Sequence, residues 1–162
     1  MIRHAELQDA AAIALIYNWY IEHTVITFEE QAVSSEEMAE RIAGADEWYP
    51  WYVFEQQGSI TGFAFATRFK PRSAYRHTVE TTVYLDKDAR GQGAGSLLYK
   101  HLIEHLRDTP IHVLVSAIAL PNPQSIGLHE KLGYVNTGKL REVGRKFDQW
   151  IDVGYWQLTL DK

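Results

Sequence analysis

Residues 90 to 96 read Arg90-Gly91-Gln92-Gly93-Ala94-Gly95-Ser96, three alternating glycines behind an arginine. Backbone N–H groups with no Cβ over them can converge on an anion, and at a helix start the helix dipole adds to the attraction. The chemistry such a turn suits is the cradling of a pyrophosphate. A plain flexible turn before a helix is the alternative, although turns rarely combine three glycines with an arginine. Two phosphate-binding alternatives fail on spelling. The chain contains no Gly-Lys-Ser or Gly-Lys-Thr, so it has no Walker loop. A dinucleotide fingerprint needs glycine where Ser96 stands and belongs on the first strand of a parallel unit, whereas this turn lies mid-chain behind an antiparallel hairpin.

Glu80 is the second candidate. It interrupts Val79-Glu80-Thr81-Thr82-Val83-Tyr84-Leu85, an alternating run where a carboxylate must find a partner or stay wet. His77, His101 and His105 could suggest a metal, since His101 and His105 are one helical turn apart. With no Cys and no His-Glu-x-x-His pattern, the expectation is a wet helix face and no metal.

These groups need elements to hold them. A short opening strand, about Ile2 to His4, precedes a helix to about Ile21 that Asp9 can cap, with Ile13, Ile16, Tyr17 and Tyr20 on its apolar face. Ser34 and Glu37 spell a capping box for a short helix that buries Met38 and Ile42. Trp51 to Phe54 and Ile60 to Ala66 read as a hairpin. Alternation from Val79 puts Val79, Thr81, Val83 and Leu85 on one face of a strand and Glu80, Thr82 and Tyr84 on the other. After the glycine turn come a helix from about Gly95 to Arg107, with Leu98, Leu102 and Leu106 in register, and a buried strand from His112 to Ile118. Asn122-Pro123 starts the last helix and Gly133 ends it. Strands at about Val135 to Leu140 and Trp150 to Leu160, with Lys139 to Gln149 as a polar excursion, complete a mixed α/β chain.

Composition narrows the function classes. The 162 residues show no repeat or linker and read as one domain over 1–162. Zero Cys excludes a disulfide framework, a thiol nucleophile and every thiolate metal site. The net charge is −5 with Lys and Arg scattered, so no nucleic-acid partner is expected. No apolar run approaches the roughly 18 residues of a membrane span, and the start lacks a signal-peptide pattern. A cytoplasmic protein with no membrane partner is the expectation.

The pattern Arg/Gln-x-x-Gly-x-Gly/Ala at a strand-to-helix turn, here Arg90, Gly93 and Gly95, resembles the acetyl-coenzyme A pyrophosphate loop of the GNAT N-acetyltransferases. The order of elements is similar to that fold over essentially the whole chain. Arg72-Ser73-Ala74-Tyr75 ahead of the Glu80 strand, Pro121-Asn122-Pro123-Gln124-Ser125, His129-Glu130-Lys131-Leu132-Gly133-Tyr134 and the tail from Trp150 to Trp156 extend the likeness. Together they resemble the phosphinothricin N-acetyltransferase branch, whose members also acetylate methionine sulfoximine and methionine sulfone.

The resemblance implies a mostly antiparallel sheet of about seven strands flanked by about four helices. It implies acetyl-coenzyme A held by Arg90, Gly91, Gln92, Gly93, Ala94, Gly95 and Ser96. Backbone groups of Val83, Tyr84 and Leu85 would pair with the pantetheine arm like an added strand, one N–H polarising the thioester oxygen. Asn122 and Ser125 would contact the same arm, although helix capping alone also explains Asn122. Glu80 would take the proton that an amine of pKa about 7.7–8.0 must lose before it attacks; a solvent-facing strand position is the alternative. His129 stands where many members carry a tyrosine that protonates the departing thiolate; a purely structural histidine is the other reading, and Tyr84 is the alternative acid. Phe28, Arg72 and Tyr75, with Glu80, would form the acceptor pocket, Arg72 gripping an α-carboxylate; a solvated surface loop is the alternative. With no Cys, direct attack in a ternary complex is implied. Another amine acceptor (a peptide N-terminus, a polyamine, an aminoglycoside) and a non-catalytic acyl-coenzyme A sensor stay open. The related enzymes are commonly homodimers, and Trp150, Tyr155 and Trp156 fit either an interface or a core.

Overall fold

A computed structural model describes residues 1–161. The strands are β1 (Ile2–His4), β2 (Trp51–Gln56), β3 (Ser59–Arg68), β4 (Thr78–Leu85), β5 (Val113–Ala119), β6 (Val135–Lys146) and β7 (Gln149–Thr159). The helices are α1 (Ala10–His23), α2 (Ser35–Ala43), α3 (Ala94–Arg107) and α4 (Pro123–Lys131). One sheet takes the order β1-β2-β3-β4-β5-β7-β6, in which only β4 and β5 run parallel. The α3 crossover between them makes that pairing possible, since parallel neighbours need a long connection.

Alternation along β4 divides the core in two. Val79, Val83 and Leu85 pack with Leu98, Leu102 and Leu106 of α3. On the other face Tyr84 packs with Phe63, Trp51 and the apolar side of α1 and α2, including Ile13, Tyr17, Tyr20, Met38 and Ile42. The expected α/β sheet with seven strands and four helices is therefore present. Among the described residues no helix is long and apolar enough to cross a membrane.

Four local expectations need correction. Asp9 precedes α1, but its carboxylate turns back to Arg3, at 2.8 and 2.9 Å, and to the Glu6 N–H at 2.8 Å, instead of capping the helix. Ser34 does cap α2, accepting from the Glu37 N–H at 3.1 Å, while the Glu37 carboxylate bonds Arg41. The polar excursion is strand: β6 continues to Lys146 through a bulge at Glu142 and turns tightly at Phe147 and Asp148, both at positive φ. Its polarity is that of an exposed sheet edge, which sequence alone reads as loop. His105 is half-buried, its ring bonded to the Tyr52 hydroxyl and the Glu47 carbonyl, so the histidine face of α3 is not simply wet. The three tail aromatics separate: Trp156 is core, Tyr155 is half-buried, and Trp150 is exposed.

Candidate active site

β4 and β5 pair only at Thr78–Val113, Val79–Leu114 and Glu80–Val115, while β4 stays paired to β3 as far as Leu85. Past Glu80 the β5-facing edge of β4 is therefore open. The glycine turn lies at the end of that edge. Gly91 and Gly93 adopt φ of 78° and 82°, a region other residues avoid, and Gly93 stands at the N-cap of α3. A Cβ at either would meet nothing within 4 Å, so the space over these amides is free. Gly95 differs, since a Cβ there would press on Leu85 Cδ1 at 3.3 Å; it lets α3 sit close on β4. The Arg90 guanidinium lies over the rings of Trp19 and Tyr20, 4.6 and 5.2 Å from their centres, and its buried Nε has no partner among the described residues. A buried donor left unmet beside uncovered amides is chemistry that fits a phosphate-bearing ligand.

These features line a cleft of about 320 Å³. Val83, Tyr84, Leu85, Arg90, Gly91, Gly93, Gly95, Ser96, Asn122 and Ser125 all border it, whereas Gln92 and Ala94 do not. The Asn122 side chain caps α4, accepting from the Ser125 N–H at 3.1 Å. Sequence reasoning missed Tyr20, Ile26, Gln124, Gly127, Leu128 and Lys131 on the same walls. One signal was there to find: Gly127, inside α4, is a helix position that costs about 1 kcal/mol relative to alanine.

A second cleft, of about 500 Å³, opens on the α1 and α2 face and shares Tyr84 and Ile26 with the first. Glu80 borders it, half-buried, and burial alone pushes its carboxyl above the usual carboxylate range. Phe28 borders it too, its ring laid where any Cβ on Gly144 would be. The lining cation is Arg41, bound to Glu29 at 2.6 Å and to Glu37 at 2.9 Å. Glu29 also accepts from the Tyr17 hydroxyl, and buried Lys146 donates to the Thr27 carbonyl at 2.9 Å, pinning this loop to β6. Arg72 and Tyr75 are outside this lining, exposed on the β3 to β4 loop, and Arg72 has no ion pair among the described residues. Tyr17, Thr27, Glu29, Arg41, Val143 and Tyr155 come from separate segments that no local motif connects.

His129 and Tyr84 flank a small cavity between β4, β5 and α4. Both His129 ring nitrogens are engaged inside the protein: Nδ1 is 2.7 Å from the Ser125 carbonyl and Nε2 is 3.0 Å from the Tyr99 hydroxyl. Burial pushes its pKa down. Tyr84 packs against Tyr20, Tyr17 and Phe63, and burial pushes its hydroxyl pKa far up. No cluster of metal-ligating side chains occurs among the described residues.

Comparison with known proteins agrees with this geometry. The acetyltransferase (GNAT) domain family matches residues 2–154. A phosphinothricin N-acetyltransferase of Streptomyces viridochromogenes is 40% identical over 156 residues, covering 96% of this chain and 85% of the relative. An L-methionine sulfoximine/L-methionine sulfone acetyltransferase of Pseudomonas aeruginosa is 38% identical, covering 99% of this chain and 94% of that protein. The crystal structure of a GNAT superfamily phosphinothricin acetyltransferase from Sinorhizobium meliloti in complex with acetyl-coenzyme A superposes with a TM-score of 0.94 at 33% identity, covering 99% of this chain and 88% of that one.

Proposed function

The chain belongs to the GNAT acetyltransferase family, and on that premise we propose that it acetylates the α-amino group of a small amino acid bearing a tetrahedral phosphinic, sulfoximine or sulfone side chain, with acetyl-coenzyme A as donor. The observation that carries this reading is the junction at Tyr84. A cleft opening on the glycine turn meets a second cleft holding a half-buried carboxylate, so a thioester in one and an amine in the other would be neighbours. The names of the similar enzymes support the acceptor class.

The pyrophosphate of acetyl-coenzyme A would lie against the amides of the α3 turn and the unmet Nε of Arg90. Its pantetheine arm would run along the open edge of β4 at Val83 to Leu85, with Asn122 and Ser125 on the opposite wall. Glu80 takes a proton from the ammonium, and its raised pKa brings it closer to that of the amine it serves. The freed lone pair attacks the thioester carbon, and the C–N bond forms as the C–S bond breaks. The nitrogen, left with one proton too many, gives it up as the departing thiolate gains one, so that only the proton on Glu80 is released to solvent. Tyr84 is the better placed group for that transfer, because it borders both clefts; since burial raises its pKa, it would pass a proton on only as it receives the one leaving the nitrogen. His129 has its nitrogens committed elsewhere. The lack of Cys removes a thiol nucleophile, and two adjoining clefts that can be filled together support direct attack.

The family resemblance gives the acceptor's carboxylate to Arg72, which stands on the exposed β3–β4 loop and not in the lining of the second cleft, and charge balance favours it over Arg41. Arg41 already faces Glu29 and Glu37, whereas no acid among the described residues meets Arg72. Leu140, Val143, Phe147 and Trp150 are all exposed on the β6–β7 hairpin, an apolar patch that favours a homodimer. A cytoplasmic location belongs to the same reading. The test is an acceptor panel followed by release of free thiol from acetyl-coenzyme A. Methionine sulfone, methionine sulfoximine and phosphinothricin should exceed methionine, an alanine-ended peptide, spermidine and an aminoglycoside in kcat/KM. A peptide or polyamine ranking first would overturn the acceptor class; binding without thiol release would make the chain a sensor.

A further inference from the structure

Behind the first cleft five polar side chains meet in the core: Thr81 on β4, Ser116 on β5, Tyr99 on α3, His129 on α4, and Tyr134, none more than 4% exposed. The Tyr99 hydroxyl is 2.8 Å from both Thr81 Oγ1 and Ser116 Oγ and 3.0 Å from His129 Nε2. Thr81 Oγ1 is also 3.0 Å from Ser116 Oγ and 2.9 Å from the Tyr134 hydroxyl. Burying hydroxyls gains nothing over apolar groups of the same shape, so a core that needed only filling would be served by Phe, Val and Ala here.

Their position in the sheet gives the group a purpose. Thr81 and Ser116 come directly after Glu80 and Val115, the last pair of the β4–β5 ladder. Beyond that pair the Thr81 carbonyl accepts from Ser116 Oγ at 3.1 Å, a side chain standing in for a strand partner where the strands part. Tyr99 then links this point to α4 through His129. The hydrogens can be counted. A carbonyl only accepts, so Nδ1 of His129, facing Ser125, carries a hydrogen. Burial favours the neutral ring, which leaves Nε2 bare to receive the single hydrogen of Tyr99. Tyr134 then donates to Thr81, Thr81 to Ser116, and Ser116 shares its hydrogen between the Thr81 carbonyl and the Tyr99 oxygen, so the line of donors runs unbroken from Tyr134 to His129.

We propose that Tyr99, which borders neither cleft, is a positioning residue of acetyl transfer: its hydroxyl ties the parting point of β4 and β5 to His129 and so sets the spacing between β4 and α4, the two walls of the cofactor cleft. This rests on reading that cleft as the acetyl-coenzyme A site. Tyr99→Phe keeps the ring and removes one oxygen, and Ser116→Ala breaks the same latch from β5. Both should weaken acetyl-coenzyme A binding in calorimetry by about 3- to 10-fold, the scale of one lost hydrogen bond, with the acceptor KM unchanged. Long-range proton–nitrogen NMR of His129 should find the hydrogen on Nδ1 in the parent and a displaced Nε2 resonance in Tyr99→Phe. A lower Tm in both variants with unaltered cofactor affinity would overturn the inference and leave the group purely structural. Failure of the parent chain to bind acetyl-coenzyme A would overturn the reading of the cleft itself.

Discussion

The two clefts that meet at Tyr84 are built in different ways. The cofactor cleft draws on few stretches of chain, chiefly the end of β4 with the turn into α3 and the first turns of α4, and its chemistry is mostly backbone. The acceptor cleft gathers Tyr17, the 26–29 loop, Arg41, strands β3, β4, β5 and β7, and Val143, and its chemistry is side chain. Backbone chemistry is written locally, because a glycine at a helix start changes the amides next to it and little else. Side-chain pockets are written in packing. Substitutions should therefore separate cleanly, those in the turn affecting cofactor and those in the assembled cleft affecting acceptor.

The largest effect expected is that of Glu80→Gln, which should lower kcat by about 10²–10⁴-fold while leaving acetyl-coenzyme A affinity intact. The same change should raise stability at neutral pH. Burial lifts the Glu80 pKa, so the folded state holds its proton longer than the unfolded state, and stability falls as pH rises from the unfolded value through the folded one. Glutamine removes that loss, and a Tm scan at pH 7 reads it. In the parent, the acid limb of kcat/KM should sit above the ordinary carboxylate pKa of about 4.3. Next comes Gly93→Val, which forces a β-branched residue into φ of 82°. It should weaken cofactor binding by roughly 10- to 100-fold in calorimetry, in line with 1–3 kcal/mol of backbone strain, while far-ultraviolet circular dichroism stays unchanged.

Substitutions in the assembled cleft should move the other constant. Gly144→Ala displaces the Phe28 ring inside the cleft, and Arg72→Lys, on the exposed loop outside its lining, replaces a two-donor fork by a point charge. Each should raise the acceptor KM by several-fold and leave that of acetyl-coenzyme A alone; a rise in the cofactor constant instead would break the division. The smallest effect concerns pH and stability. Burial lowers the pKa of His129 and, with His105 and His101 nearby, that of His4. The unfolded chain then binds protons more readily, so stability should decline as pH falls below about 6.5, as urea melts at pH 7 and pH 5.5 would show.

Most of the architecture was legible because period and punctuation agree. Leu98, Leu102 and Leu106 mark α3, the alternation in 79–85 marks β4, and Asn122-Pro123 with Gly133 brackets α4. The second half of β6 was not, since an exposed edge strand carries the composition of a loop and only its pairing to β7 reveals it. Glu80 stood out as a carboxylate on an apolar strand. Arg41 did not, because an arginine one helical turn after Glu37 reads as an ordinary surface pair until Glu29 and Tyr17 close around it. The depth at which His129 lies was equally hidden, for its partner Tyr99 is thirty residues away on another helix.

The central claim is that donor and acceptor occupy their two clefts together and react directly. Initial rates over a grid of acetyl-coenzyme A and methionine sulfone concentrations test it with one data set. The account predicts double-reciprocal lines that intersect, as a ternary complex requires. Parallel lines, the mark of an acetylated enzyme formed and released between substrates, would contradict it.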